Sequence, residues 1–235
     1  KDYVKAIEKL EQAIKYTEVK EDRRRYIFIL GQIYQKQREF TTATDYYSQV
    51  LKLKPNYVMR FNARINRAIS LDIAASNADD IKKELYKMLK DAKNEEFKDQ
   101  IYFALAEIAL KEDNEPKAID LLKLSVKYSR ENTKQRALSY YKLANIYFEQ
   151  PHYINAQAYY DSTIQFLPEE HPDYYDADTK NESLQDLVAN LKVIDEQDSL
   201  LALSSLSSCI LIWVTIGLHN QSSWYNTNSS PTMSP

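Results

Sequence analysis

The stretch Arg24–Asn56, RRYIFILGQIYQKQREFTTATDYYSQVLKLKPN, decides how the rest of the chain is read. It spells a helix, a tight turn, a second helix and a proline stop. Tyr26, Leu30, Gly31 and Tyr34 share one face of the first helix, with Ile27 beside them, at the spacing of an amphipathic helix. Phe40 follows the turn. Ala43, Tyr47 and Val50 then line one face of the second helix, and Pro55 ends it because a proline ring cannot continue the hydrogen-bond ladder.

The same order recurs along the chain. In Lys134–Pro168, Tyr140, Leu143, Ala144 and Tyr147 stand where Ile27, Leu30, Gly31 and Tyr34 stand. Tyr153, Ala156, Tyr160 and Pro168 match Phe40, Ala43, Tyr47 and Pro55. Phe97–Tyr128 carries Tyr102, Leu105, Ala106 and Ala109, then the polar turn KEDNEP, then Ala118, Leu122 and Ser125. Pro116 falls in the first turn of that second helix, where its missing N–H has no partner to lose. Lys1–Thr17 supplies one further helix, with Ala6, Leu10, Ala13 and Ile14 on a face. Between these pairs, Tyr57–Ala75 (Phe61, Ile65, Ala68, Ile69) and Asp80–Lys93 (Ile81, Leu85, Met88, Leu89) are expected to form a pair without the small residues. Asn77 and Asp79 fit the turn and the N-cap between them.

The small positions carry the physical reason for the pattern. Gly31, Ala106 and Ala144 on first helices, and Ala43, Ala118 and Ala156 on second helices, let two helices approach closely and interlock with the next pair. A mid-helix glycine is less favourable than alanine by about 1 kcal/mol, so Gly31 implies a close neighbour. In its order and its roughly 34-residue period, the pattern resembles the tetratricopeptide repeat. That resemblance implies an all-α solenoid of antiparallel helix pairs over residues 1–170, with the first repeat truncated, and a surface for other proteins rather than an active site.

Composition agrees with an all-helical chain. Only two glycines occur in 235 residues, too few for the positive-φ turns of hairpins and phosphate loops. Tyrosine is frequent, at 19, and suits helix seams because its ring packs while its hydroxyl finds a partner. The net charge of -3 argues against a general nucleic-acid surface. Cys209 is the single cysteine, so no internal disulfide forms.

No catalytic constellation, cofactor motif or metal set is expected. His152, His171 and His219 lack metal spacing. No glycine-rich phosphate loop or nucleophile elbow occurs. Adjacent acids such as Glu95–Glu96 and Glu169–Glu170 do not face each other on a helix. The candidate partner-binding residues lie on first helices, which line the concave side of a repeat superhelix. Arg60, Arg64 and Arg67 recur at i, i+4, i+7 and could grip a carboxylate by bidentate contacts. Phe103, Tyr141, Lys142 and Asn145 join them on the later first helices. The alternative for the arginines is a set of solvated or intramolecular ion pairs.

The C-terminal third is read as a linker, EEHPDYYDADT, and then a capping helix, Glu182–Gln197, with Leu184, Leu187, Val188, Leu191 and Ile194 at helical spacing. Residues 171–203 thus form linker and cap. Residues 204–235 form a tail without Lys, Arg, Asp or Glu. Its apolar run CILIWVTIGL is about half the length that spans a bilayer as a helix. The tail is expected to be disordered or the product of a shifted reading frame.

A narrower resemblance lies in QRALSYYKLANIYFEQPHYINAQAYYDSTIQFLPEEHPDYYD (135–176) and LQDLVANLKVIDEQDSLLAL (184–203). ASNADDIKKELYKMLKDAKNEEFKDQIYFALAEIAL (75–110) also fits. Together they are similar to the SprE (PorW) family, tetratricopeptide-repeat lipoproteins of the Bacteroidota gliding-motility and type IX secretion apparatus. AQAYYDSTIQFLP and LVANLKVIDEQDSL are the most specific segments. The resemblance implies a scaffold at the periplasmic face of the outer membrane, joining components of the secretion and motility machinery. Membrane attachment would come only through an N-terminal lipidated cysteine, which this stretch does not include. Two other readings fit a repeat array: the sensory ectodomain of a histidine kinase, or a co-chaperone adaptor that clamps peptide C-termini. Glu107 and Phe103 stand where such a clamp needs donors.

Overall fold

A computed structural model describes residues 2–72 and 78–205. The described residues are helical, without a β-strand. The helices are α1 (Tyr3–Tyr16), α2 (Lys20–Lys36), α3 (Phe40–Lys52), α4 (Tyr57–Ile69), α5 (Ala78–Leu89), α6 (Lys98–Lys111), α7 (Glu115–Tyr128), α8 (Thr133–Glu149), α9 (Tyr153–Phe166) and α10 (Tyr174–Ser204). A 3-10 turn, Ala92–Phe97, lies between α5 and α6. The chain divides into two compact units, Lys1–Glu182 and Ser183–Pro235.

In the first unit, consecutive helices pack as pairs: α2 on α3, α6 on α7, α8 on α9. Short polar side chains start several of them. Asn56, Asn114 and Asn132 each accept a hydrogen bond from the backbone N–H three residues on, satisfying a donor that the first turn leaves free. The turn inside each well-formed pair closes the same way. Glu39 N donates to Tyr34 O (3.0 Å), Asn114 N to Ala109 O (2.9 Å) and His152 N to Tyr147 O (2.9 Å). Arg38 and Asp113, one residue earlier, are left-handed with φ of 63° and 55° and donate to the carbonyls of Gln35 and Leu110. This is the Schellman closure of a helix C-terminus. Pro151 holds that place in the third pair and has no N–H to donate.

The small residues sit where helices touch. Ala43, Ala106, Ala118, Ala144 and Ala156 are fully buried, as are Leu30, Leu143, Tyr47 and Tyr160. A methyl on Gly31 would come within 2.9 Å of Tyr47 Cε1, so α2 and α3 are closer than an alanine permits unless the ring moves. The tyrosine seam repeats: Tyr34 stacks on Tyr46 at 5.3 Å and Tyr147 on Tyr159 at 5.5 Å, with interplanar angles of 8° and 7°. Tyr47 donates to Gln35 Oε1 at 2.7 Å and Tyr160 to Asn145 Oδ1 at 2.8 Å. Pro55 is buried behind the end of α3, and Pro168 is exposed. One apolar cluster joins α2, α3 and α4 around Tyr47 and Val50, and a second runs from Phe61 on α4 to Ile146 on α8. α6 is buried on most of its circumference.

Three boundaries differ from the sequence expectation. α4 ends at Ile69, not Ala75. Its terminal carbonyls are taken by tertiary donors: Lys111 Nζ reaches the oxygens of Ile69 (2.5 Å) and Leu71 (2.8 Å), and Thr44 Oγ1 that of Ser70 (2.9 Å). Cations and hydroxyls at a helix C-terminus end it there. Burial holds the Lys111 ammonium below the usual lysine range. α5 spans Ala78–Leu89, and the Asp91 side chain, accepting from Lys93 N, starts the 3-10 turn that replaces its expected last turn. Asn77 lies outside the described residues.

The third difference is at the C-terminal end. The expected linker is mostly helix, since α10 begins at Tyr174, just past Pro172. Its first turns belong to the first unit and are pinned there. Tyr141 donates to Asp176 Oδ2 at 2.6 Å, Lys180 donates to Asn145 Oδ1 at 3.1 Å, and Ala177 is fully buried. Lys180 also lies over the rings of Phe148 and Tyr160. In the second unit α10 continues to Ser204, with Val193, Ile194, Leu200 and Leu201 more than half exposed. From residue 206 the tail lies outside the described residues.

One buried polar cluster ties α6 to the α7–α8 turn. The Asp99 carboxylate accepts from Gln100 N (2.8 Å), Asn132 Nδ2 (2.9 Å) and Ser129 Oγ (3.3 Å). Burial pushes this carboxyl above its usual range. Its donors are complete, which marks it as architecture.

Candidate binding trench

α4 does not pair tightly with α5, the helix that follows it. Phe61, Ile65 and Ala68 bury its inner face, but it leans on α3 and α6 and touches α5 only lightly. The pair α4–α5 has no small residues at the interlocking positions, so a gap stays open between them. The Tyr57 hydroxyl bridges one end of that gap to the 3-10 turn, at 2.8 Å from Lys93 O and 2.5 Å from Asn94 Oδ1.

The three arginines of α4 project into this gap. Arg60 donates to the Pro55 carbonyl at 2.9 Å. Arg64 Nε lies 2.7 Å from Glu84 Oε1 on α5, and Arg67 pairs with the other oxygen of the same carboxylate. One carboxylate is thus shared by two guanidinium groups, which carry more donors than it can satisfy.

The gap opens into a cleft of about 720 Å³. Tyr57 is its exposed aromatic, Phe61 and Met88 lie buried behind its lining, and Arg60, Arg64, Lys83, Lys87, Lys90 and Lys93 supply the charge. A second hollow of about 500 Å³ shares Arg60, Arg64 and Glu84 with the first and adds Leu51, Lys54 and Arg67. Together they form a trench walled by α3, α4 and α5. Eight cationic side chains face it against two carboxylates, Glu84 and Asp91.

The other expected contact residues are not in the trench. Phe103 is 8% exposed and belongs to the core around α6, because α6 is covered on both sides by its neighbours. It offers no surface to a partner, which corrects its expected role. Lys142 pairs with Glu107 at 2.9 Å. Tyr141 and Asn145 are engaged by Asp176 and Lys180 of α10. Burial, then the Asp176 hydrogen bond, pushes the Tyr141 phenol up to about 12. The arginines therefore meet α3 and α5, both second helices, rather than a row of first helices.

The lysines on α5 and just past its end carry a signal that the arginine reading passes over. Lys83, Lys87 and Lys90 fall at i, i+4, i+7, the spacing that singled out the arginines. What sequence does not reveal is that α5 turns that stripe toward α4.

Compared with known families, residues 25–57 match the tetratricopeptide repeat. This stretch is a tetratricopeptide repeat. Its matched span is α2 and α3 with their turn, and the pairs α6–α7 and α8–α9 repeat its buried positions in the register described above. The chain folds as an all-α tetratricopeptide-repeat solenoid. Repeats of this kind are typical of non-enzymatic scaffolds that bind other proteins. No curated protein matches the chain. Among the described residues no group of three or more His, Cys, Asp or Glu is placed to hold a metal, and no helix is long and apolar enough to cross a membrane.

Proposed function

We propose that the chain is a non-enzymatic protein-binding scaffold that docks a partner on the trench along α4. One observation carries this reading: a chain of net charge -3 gathers eight cations and two carboxylates around one open cleft on a helical-repeat frame. A frame held by buried small residues and tyrosine seams presents such a surface preformed, which limits the entropy lost on binding.

The likeness of residues 135–176 and 184–203 to the SprE (PorW) family supports a finer reading. On it, the scaffold joins components of the type IX secretion and gliding machinery at the periplasmic face of the outer membrane. The test is affinity capture of the tagged full chain, expressed in a Bacteroidota strain that carries this secretion system. Enrichment of secretion or motility components over a tagged control is expected. Recovery equal to the control overturns the assignment to that machinery.

A further inference from the structure

We propose that the trench takes an acidic peptide segment of a partner protein, one that alternates carboxylates with large apolar side chains, and that Glu84 occupies the ligand's carboxylate position while the trench is empty. This deepens the scaffold reading and rests on it. Electrostatics select the ligand class. Among the described residues Arg60, Lys87 and Lys90 have no carboxylate within ion-pairing distance, and Lys83 has only Asp80 at 3.6 Å, both side chains well exposed. Such like-charged side chains around one cleft repel each other, and an incoming anion relieves that repulsion.

The shared carboxylate locates the anchor. Arg64 and Arg67 both pair with the single carboxylate of Glu84. A guanidinium carries five donors, more than half of one carboxylate can satisfy. A ligand carboxylate placed between Arg60 and Arg64 would take donors that Glu84 leaves free and could displace Glu84 itself. The apolar side chains open to a ligand there, Tyr57 and the half-buried Leu51, are of no use to a bare phosphate chain. Binding of a nucleic-acid strand would call for several exposed rings to stack on, and Tyr57 is the exposed aromatic among the lining residues. A peptide with alternating acid and apolar residues uses both features. The chain's own acidic stretch, Glu169–Asp178, is held elsewhere, with Asp176 on Tyr141 and Lys180. That stretch is therefore not the occupant.

The experiment is a fluorescence-anisotropy titration of the full chain with a short labelled peptide of repeated Glu-Glu-Leu, against a Gln-Gln-Leu counterpart. The acidic peptide is expected to bind about tenfold or more tighter than the neutral one, and more weakly as salt rises. The double charge reversal Lys87→Glu with Lys90→Glu alters two exposed side chains and is expected to abolish that preference with the helical circular-dichroism signal unchanged. Glu84→Gln is expected to tighten binding several-fold by removing the internal competitor. Equal binding of both peptides, an unaffected double variant, or weaker binding by Glu84→Gln with helicity retained overturns the proposal. So does tighter binding of a single-stranded oligonucleotide than of the acidic peptide. A wild-type dimer dispersed by the double variant would assign the trench to a second copy and overturn it too. Equal binding of both peptides by the wild type, alongside capture of machinery components by the same chain, would overturn this inference and leave the scaffold reading standing.

Discussion

Replacing Gly31 by alanine sets two opposed effects against each other, and the structure says which prevails. Alanine in a helix interior is favoured over glycine by about 1 kcal/mol. The added methyl, however, would lie 2.9 Å from Tyr47 Cε1 and 3.1 Å from Cδ1 and Cζ, whereas carbon atoms rest at about 3.5–4.0 Å. The ring must retreat by roughly half an ångström or more to restore that spacing. It has little room: Tyr47 is fully buried, meets Phe28 edge-on at 5.5 Å, and is tethered to Gln35 at 2.7 Å. Overpacking of this kind costs about 1–3 kcal/mol. The net expectation is a destabilisation of about 1 kcal/mol, read as a lowered urea midpoint by circular dichroism. In the middle pair the corresponding positions are Ala106 and Leu122, an alanine with no ring at the matching place. Tyr47→Leu alone should lose about 2 kcal/mol through lost volume and the lost hydrogen bond. Gly31→Ala with Tyr47→Leu should be less damaging than the sum of the singles by about 1 kcal/mol, a favourable coupling. If Gly31→Ala stabilises by the full helix-propensity increment and the cycle shows no coupling, the close approach of α2 and α3 is refuted.

Three further outcomes follow from particular residues. Arg38 holds a left-handed backbone at φ 63°, so Arg38→Gly should raise stability by about 1 kcal/mol, and a lowered urea midpoint would contradict the Schellman closure. Burial raises the Asp99 carboxyl in the folded state, so its contribution is fully present below the ordinary carboxylate value and is lost as pH rises through the raised one. Wild type should therefore gain stability relative to Asp99→Asn as pH falls from about 7 to about 4 in parallel denaturation series, and a gap that narrows instead would be contrary. Tyr141→Phe removes the donor to Asp176 and should cost about 1–2 kcal/mol locally; hydrogen exchange should quicken over residues 174–182, and unchanged protection there would show that this bond does not pin α10.

Much of this fold is written in local pattern. Small residues at Gly31, Ala43, Ala144 and Ala156, with tyrosines at Tyr34, Tyr47, Tyr147 and Tyr160, announce helix pairs because each side chain's size matters at a seam. The ends of α4 and α5 were not legible, because Lys111 and Thr44, distant in sequence, take the carbonyls that end α4. The start of α10 was hidden for a similar reason. DYYDADT reads as polar linker until Tyr141 and Asn145 give Asp176 and Lys180 a place to bind. The arginine stripe was visible as a stripe, and ion pairing was among its readings. Its surroundings are not legible in the same way, since periodicity tells which residues share a face and not which helix that face meets. Phe103 shows the same limit: its helix is covered on both sides, and one face of a local pattern cannot report that.

The most direct test of the scaffold account is site-specific photo-crosslinking in cells. A photoreactive residue replaces Lys87, exposed in the trench, or Lys127, exposed on α7 and outside it. The account predicts discrete adducts with partner proteins from position 87, lost when Lys90→Glu is added, and no such adducts from position 127. Equal adducts from both positions, or adducts from 127 alone, would contradict it.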